Sequence, residues 1–468
     1  MLFRGQKTLV NIFGPLFILI FIFIGFRDHE ELFASHNNSE LIFQPSGQAK
    51  DQELPNNSNH EGVEVHDVSK ASVFDSVIDG HREVFSVSSS DKKYFLMEFG
   101  QYATNPNVIP HPTLTDTWII VAQQEMKAVR NYMWWAEIAC NATFQSGVLR
   151  CMDEPIILLI PPTAGLNCNG ALTYFGDSVG PHDARVFYGP KTPHIIYGSN
   201  SAYTCFGQWM IDLRSVANSD FDRVMGKEFQ KPTELQRPAP YSPVEKNWFV
   251  FWDKNEQIYV HYDVWPSRLF AKLEYDGTVG QDLAPLASTS DNECMAKYMP
   301  KISQELNPID LTPLETVHQA TNSLSITLCK GADPFCIADD SNTFILAIFQ
   351  HKTYIWSHSV YEPYAMLFRR TAPFEVYGIS TKPIWIHGRG GPGTGKKPAT
   401  LTAENIATWS QTEMFYLTSL SWKAQDHKYH GYIDDVVFIA FGIEDSKSAG
   451  IDVVAGDLLM DLGLCENS

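Results

Sequence analysis

Four short stretches of this sequence bring acids, bases and aromatic rings close enough to do chemistry. In GPHDARVFYG (180–189), Asp183 and Arg185 are two residues apart, so an extended chain projects both to one side. A carboxylate beside a guanidinium is the ordinary form of a structural ion pair. It is also a way to hold a catalytic acid against a hydroxyl or a phosphate. In PVEKNWFVFWD (243–253), Glu245, Lys246 and Asn247 crowd ahead of an apolar run that opens with Trp248. The next run ends in HYDVWP, where His261, Tyr262, Asp263 and Trp265 follow closely. Aromatic faces set among carboxylates and amides suit sugars, and plain core packing accounts for the same rings. The third stretch, 358–388, holds His358, Tyr361, Glu362 and Arg369 around a strand; the fourth, 430–445, opens on Asp434-Asp435. Paired aspartates either ligate a divalent cation (Mn or Mg) with a nucleotide sugar or simply turn the chain.

A fifth stretch, GRGGPGTGKK (388–397), has the glycine and lysine spacing of a phosphate-cradling loop, but Lys397 stands where the Mg²⁺-binding hydroxyl belongs and Pro398 follows. It reads as the tip of a flexible, glycine-rich surface insertion. The sharper alternative is a basic lid, with Lys396 and Lys397 closing on a diphosphate.

The elements that must position these residues are mostly strands. From Tyr94 onward, short β-runs alternate with turn residues: 117–124, 155–162, 194–199, 248–264, 343–355 and 435–443. The 248–264 run reads as a hairpin, and Glu125–Cys140 is the best amphipathic helix candidate. Small sheets recurring along the chain predict a propeller, with a tandem sandwich as the other pattern. Residues 1–7 read as a cytoplasmic tail and 27–92 as a polar stem carrying little apolar periodicity, with the folded domain at 93–468. Residues 8–26 are uncharged and long enough to span a bilayer, with Arg4 and Lys7 before them, which predicts a type II single-pass anchor.

Asn37, Asn56 and Asn141 head glycosylation sequons, and the 8 cysteines all lie beyond the apolar segment. An even number in an oxidising lumen predicts disulfides, first Cys140–Cys151 and Cys329–Cys336, the pairs nearest in sequence. A net charge of −19 argues against a nucleic-acid partner. Stem, anchor and sequons together are the architecture expected of a Golgi glycosyltransferase acting on a glycan or glycoprotein, with another secretory compartment or the plasma membrane as the alternative.

The succession GPHDARVF, EKNW with a hairpin, YAMLFRRTAPFEVYGISTKPI and GYIDDVVFIAFGIED resembles the five-bladed β-propellers of the mannoside phosphorylases and related β-mannosyltransferases. The resemblance implies an all-β, five-bladed propeller and a mannosyltransferase-like enzyme using a sugar nucleotide, or a hydrolase or phosphorylase of mannosides. A non-catalytic glycan-binding propeller is the reading from a different class. Position by position, the family's acid falls on Asp183 with Arg185 as its ligand-contacting partner, and Glu245, Lys246 and Asn247 fall on its cavity segment. His358 and Tyr361 precede a matching strand pair, and Asp434 and Asp435 match a segment facing the axis. His182 and Ala184 depart from the family's Glu and Pro, so a second acid is missing there. Asp263 or Asp435 is then the carboxylate available to activate water, with Trp248 and Tyr262 as stacking platforms.

Overall fold

The structure is a computed structural model describing residues 80–465 apart from 130–131, 218–227, 304, 306–313, 356–357, 400, 402 and 427. The proposed tail, anchor and most of the stem, with Asn37 and Asn56, lie outside the described residues. Among those described, no helix is long and apolar enough to cross a membrane.

The fold is all-β. Its strands form successive antiparallel stacks in chain order. The first stack is Thr104–Pro110, Trp118–Val129, Tyr132–Gln145 and Val148–Cys151; the second is His182–Tyr188, Pro193–Asn200, Phe206–Asp212 and Thr233–Glu234. The third is Phe249–Trp252, Ile258–Asp263 and Leu269–Lys272. The fourth runs through Leu324–Thr327, Thr343–Ile355, His358–Arg369 and Val376–Ser380, with Glu315–Gln319 also paired to its long second strand. The last contains Phe415–Trp422, Val436–Ile443 and Lys447–Val454, and is completed by the early strand Phe95–Glu98. That strand also pairs in parallel with Val148–Cys151, joining the end of the chain to its beginning.

Period-two alternation explains how the stacks pack. Both faces of the inner strands are apolar, and each face belongs to a different core. In Thr343–Ile355, Ile345, Ala347 and Phe349 face the core shared with the second and third stacks, while Phe344, Leu346 and Ile348 face the core shared with the last. In Val436–Ile443, Val437, Ile439 and Phe441 pack toward the fourth stack and Phe438 and Ala440 toward the first. Ile119 and Val121 meet the second stack, whereas Trp118, Ile120 and Ala122 meet the last. The sequence of cores therefore returns to its start, each buried large side chain contributing about 1.5–3 kcal/mol.

Two expectations change. Glu125–Cys140 is not a helix: it enters a hairpin of Trp118–Val129 with Tyr132–Gln145, in register from Trp118↔Ala142 to Met126↔Trp134 and shifted before Val129↔Tyr132. Helix formers such as Ala, Glu and Met are outweighed by long-range pairing and the aromatic run YMWW, which fits a pleated surface. The composition-based stem boundary also moves. Arg82–Val84 pairs with Ile384–Ile386, and Ser86 and Ser88 donate to the buried carboxylate of Asp452, so residues 82–92 belong to the fold.

All eight cysteines are paired: Cys140–Cys151 and Cys329–Cys336 as expected, and also Cys168–Cys205 and Cys294–Cys465. Asn141 sits partly buried beside the first bridge, opposite Ile119.

Candidate active site

Three residues other than glycine take left-handed backbone conformations and meet at one place: Asn105 (φ 53°), Asp183 (φ 50°) and Asn247 (φ 63°). Asn and Asp tolerate this region best, and each such residue still costs on the order of 1 kcal/mol. The strand pairing is irregular beside two of them, between Thr104 and Asn107 and opposite Asp183 between Ile196 and Gly198. Bulges of this kind re-aim a side chain out of the sheet's alternation.

The result is a fixed Asp183. Its Oδ1 accepts from Asn105 Nδ2 at 2.8 Å, its Oδ2 pairs with Lys246 Nζ at 3.1 Å, and its amide donates to Gln123 Oε1 at 2.6 Å. Protein surrounds it, yet 31% of its side chain and 37% of that of Lys246 remain open to solvent, as at the floor of a recess. Burial alone would push its carboxyl up, but Lys246, Arg185 and the ring of His182 outweigh that and hold it down to about 2. Asp183 is thus ionised at any physiological pH, which suits a base or a charge stabiliser rather than a proton donor.

Arg185 does not present itself to a ligand. Its Nε donates to Ala320 O at 2.8 Å, its Nη1 to Asp183 O at 2.9 Å and its Nη2 to Tyr416 Oη at 3.1 Å, and the residue is buried. Its work is to clamp the strained backbone of Asp183. Asn247 is held in the same way: Tyr416 Oη donates to its side-chain oxygen at 3.2 Å and Gln319 Nε2 to its carbonyl at 3.0 Å.

Further residues reach this recess that sequence reasoning missed. Tyr361 was expected; its ring meets Tyr416 edge-on at 5.0 Å, and burial and the neighbouring Tyr416 hydroxyl push its own hydroxyl upward in pKa. Directly opposite Tyr361 in the sheet is Lys352, whose ammonium lies 5.8 Å from the Tyr361 ring centre and whose burial lowers its pKa. His318 shares that face. Burial, reinforced by Lys352 and Lys246, brings its imidazole down to about 4, so it is neutral. Lys246 itself rests over Phe206 at 5.4 Å and Phe175 at 5.9 Å. Behind Asp183 lies Glu137, fully buried; desolvation and the Asp183 charge drive its carboxyl well above the usual range, and neither oxygen finds a partner in hydrogen-bonding geometry among the described residues.

Other predicted site residues stand elsewhere. Glu245 turns away from Lys246 into a buried pair in which Arg237 Nη1 donates to both carboxylate oxygens at 2.8 and 3.0 Å, while Arg237 Nη2 holds Asp263 at 3.0 Å. Trp248 and Tyr262 pack edge-on at 4.7 Å, each 2% exposed, so neither offers a face for stacking. Asp434 accepts from the amides of Gly331 and Ala332, and Asp435 from that of Tyr432, the bonds of a turn. Arg369 is eight residues beyond Tyr361 on the same strand, roughly 26 Å away. His358 is buried under Trp409 and the Thr412 carbonyl.

The glycine-rich stretch is not a loose tip. Gly393 and Gly395 amides both donate to Gln411 O at 3.0 Å, Gly390 N donates to Glu413 and Lys396 N to Glu444. Arg389 is buried against Trp385 and paired with Glu362, while the side chains of Lys396 and Lys397 are exposed. No group of three or more His, Cys, Asp or Glu suited to a metal ion occurs among the described residues.

No family model matches this sequence, and no curated protein does. Among solved structures, the chain is similar to a β-1,2-mannobiose phosphorylase from Listeria innocua (10% identity, TM-score 0.41, covering 81% of this chain and 96% of that one). It is also similar to MPT-1, a GDP-Man-dependent mannosyltransferase from Leishmania mexicana (9%, 0.34, 80% and 88%), and to the arabinanase Arb43A of Bacillus subtilis (8%, 0.31, 75% and 94%). At that level of likeness, the chemistry has to come from the site's own residues.

Proposed function

We propose that this chain is a glycan-active enzyme on a five-bladed β-propeller, and that it transfers a glycosyl group, mannosyl first, from a sugar nucleotide to a glycan hydroxyl. The ring of cores that closes on itself supports the propeller. The observation that carries the chemistry is one ionised carboxylate, Asp183, held by the solvent-open Lys246, with a second, half-buried lysine, Lys352, across Tyr361 and His318. Two ammonium groups so placed suit a substrate whose leaving group is a phosphate.

In this reading Lys246 is shared. When it turns to the leaving phosphate, Asp183 loses the cation that depresses its pKa and becomes a competent base. Asp183 then accepts the proton of the acceptor hydroxyl as that oxygen bonds to the anomeric carbon. The bond from the anomeric carbon to phosphate breaks, and its electron pair leaves on the phosphate beside Lys246 and Lys352. No metal is needed to balance the step, and a divalent cation on the diphosphate would supply further charge. We place the enzyme in the secretory pathway, Golgi first, anchored by residues 8–26, on the strength of that segment, the sequons and the four disulfides.

Phosphorolysis uses the same cations in the reverse direction and is the second reading. The purified full-length protein, incubated with labelled sugar nucleotides and mannosyl acceptors, or with mannosides and inorganic phosphate, separates the two. Donor-dependent glycosyl transfer abolished by Asp183→Asn is the expected result. Sugar phosphate formed without a nucleotide donor would replace it with phosphorolysis, and free sugar released in water would make it a hydrolase.

A further inference from the structure

Beside the Asp183 recess the chain displays two tyrosine rings that no core requires. Tyr203 is 50% exposed, and its ring lies nearly parallel to that of Tyr241, 17° apart with centres 5.9 Å apart. Both are locked from behind. Gln236 Nε2 donates to the Tyr203 hydroxyl at 2.7 Å and the Arg237 amide to that of Tyr241 at 3.2 Å. The short loop carrying Tyr203 is equally fixed. Ser201 Oγ accepts from the Tyr203 and Thr204 amides, Glu234 accepts from the Ala202 amide, and Thr204 Oγ1 donates to Ser242 O. The Cys168–Cys205 bridge closes its far side. An exposed aromatic ring held this firmly loses little freedom on binding, which is the condition for a stacking platform.

Register puts the platform at the mouth of the site. His182 pairs with Gly198, so the loop 201–205 leaves the sheet at the end where Asp183 sits. Tyr241 precedes Lys246 by five residues, and Phe206, just past the loop, bridges Val244 and carries the Lys246 ammonium on its face. On the polar side, the Asp263 carboxylate is 41% exposed and oriented by Arg237, the residue next to Gln236. An apolar ring face, with an oriented carboxylate tied to it through Arg237, suits the apolar face and the hydroxyls of a pyranose.

We propose that Tyr203 and Tyr241, with Asp263, form an outer sugar-binding subsite that holds a distal residue of a glycan whose reacting end lies at Asp183. The subsite rests on the glycan reading above and gives Asp263 a recognition role in place of a catalytic one. It predicts a length dependence. Binding of mannose and of β-linked manno-oligosaccharides of increasing length to the full-length protein would be measured calorimetrically for wild type, Tyr203→Ala and Tyr203→Phe. Tyr203→Ala should weaken the longer oligosaccharides by about tenfold while leaving mannose unchanged. Tyr203→Phe, which keeps the ring and loses only its hydroxyl, should bind like wild type. Oligosaccharide binding indifferent to Tyr203→Ala would overturn the subsite and leave the glycan reading standing. Equal weakening of mannose and oligosaccharide would also overturn it, by showing general disturbance instead of a distal contact. Absence of binding to any of these sugars would remove both.

Discussion

At the scale of single residues, the account rests on Asp183 and the cations that keep it charged. Asp183→Asn preserves the Asn105 and Gln123 contacts in shape while removing the charge, and should lower kcat by about 10²- to 10³-fold with the thermal midpoint nearly unchanged. Lys246→Ala should lower kcat as well as raise the donor KM, because the ammonium is assigned to a phosphate whose charge grows as it leaves. Lys396→Ala with Lys397→Ala should leave the donor KM unaltered, since those side chains stand on a loop pinned to Gln411, Glu413 and Glu444. Steady-state kinetics on the three variants test all of this. Asp183, Lys246, Asn247 and Tyr361 were legible in the sequence because polar residues interrupt or precede apolar runs there. Lys352, His318, Tyr416, Asn105 and Gln123 were not. They lie in strands whose local pattern resembles any half-buried strand, and only cross-strand register and the two irregular pairings turn them toward one point.

At the scale of elements, the strained turn at Asp183 is maintained by Arg185, whose donors satisfy the carbonyls of Asp183, Ala184 and Ala320. Arg185→Met should therefore destabilise the fold by roughly 1–3 kcal/mol for each carbonyl left unpaired in the interior. Denaturant unfolding would show it as a lower midpoint at unchanged slope. The glycine-rich stretch teaches a related lesson. Read from composition, its glycines suggest mobility, yet a side chain at Gly395 would collide with the Thr412 carbonyl and with His358, and one at Gly390 with Thr394. Gly395 is glycine because a backbone carbonyl approaches it closely, and Gly390 because the Thr394 side chain folds back over it. The hairpin pair 248–264 and the long strand 343–355 were visible from alternation and turn residues, and both appear in the structure within one or two residues. The hairpin at Glu125–Cys140 was hidden because its helix-forming residues fall on two strands that pair with each other within the segment, Glu125 opposite Trp135.

At the scale of the whole molecule, the closed series of cores makes stability depend on contacts between sequence-distant parts, so Cys294–Cys465, which links residues 171 apart, should matter most among the bridges. Replacing both cysteines by Ser should cost about 2–5 kcal/mol. The molecule also buries neutral histidines: His182, His194 and His318 are lowered to about 4 and His261 further, burial being the first cause in each. The unfolded chain binds these protons near its ordinary pKa of about 6.5 while the folded chain does not. Through these histidines stability should fall steadily as pH drops from that value toward 4, with proton uptake on unfolding, opposed in part by Glu137, whose carboxyl is raised in the folded state; a thermal midpoint flat between pH 6.5 and 4.5 would contradict it. The claim on which the functional account stands is that Asp183, kept ionised by Lys246, drives transfer from a nucleotide sugar. The most direct test is single-turnover transfer of labelled mannose from its nucleotide donor to a mannosyl acceptor by wild-type and Asp183→Asn protein of matched thermal stability. The account predicts product with wild type and its loss with the variant; equal product from both, or none from wild type across the nucleotide sugars, would contradict it.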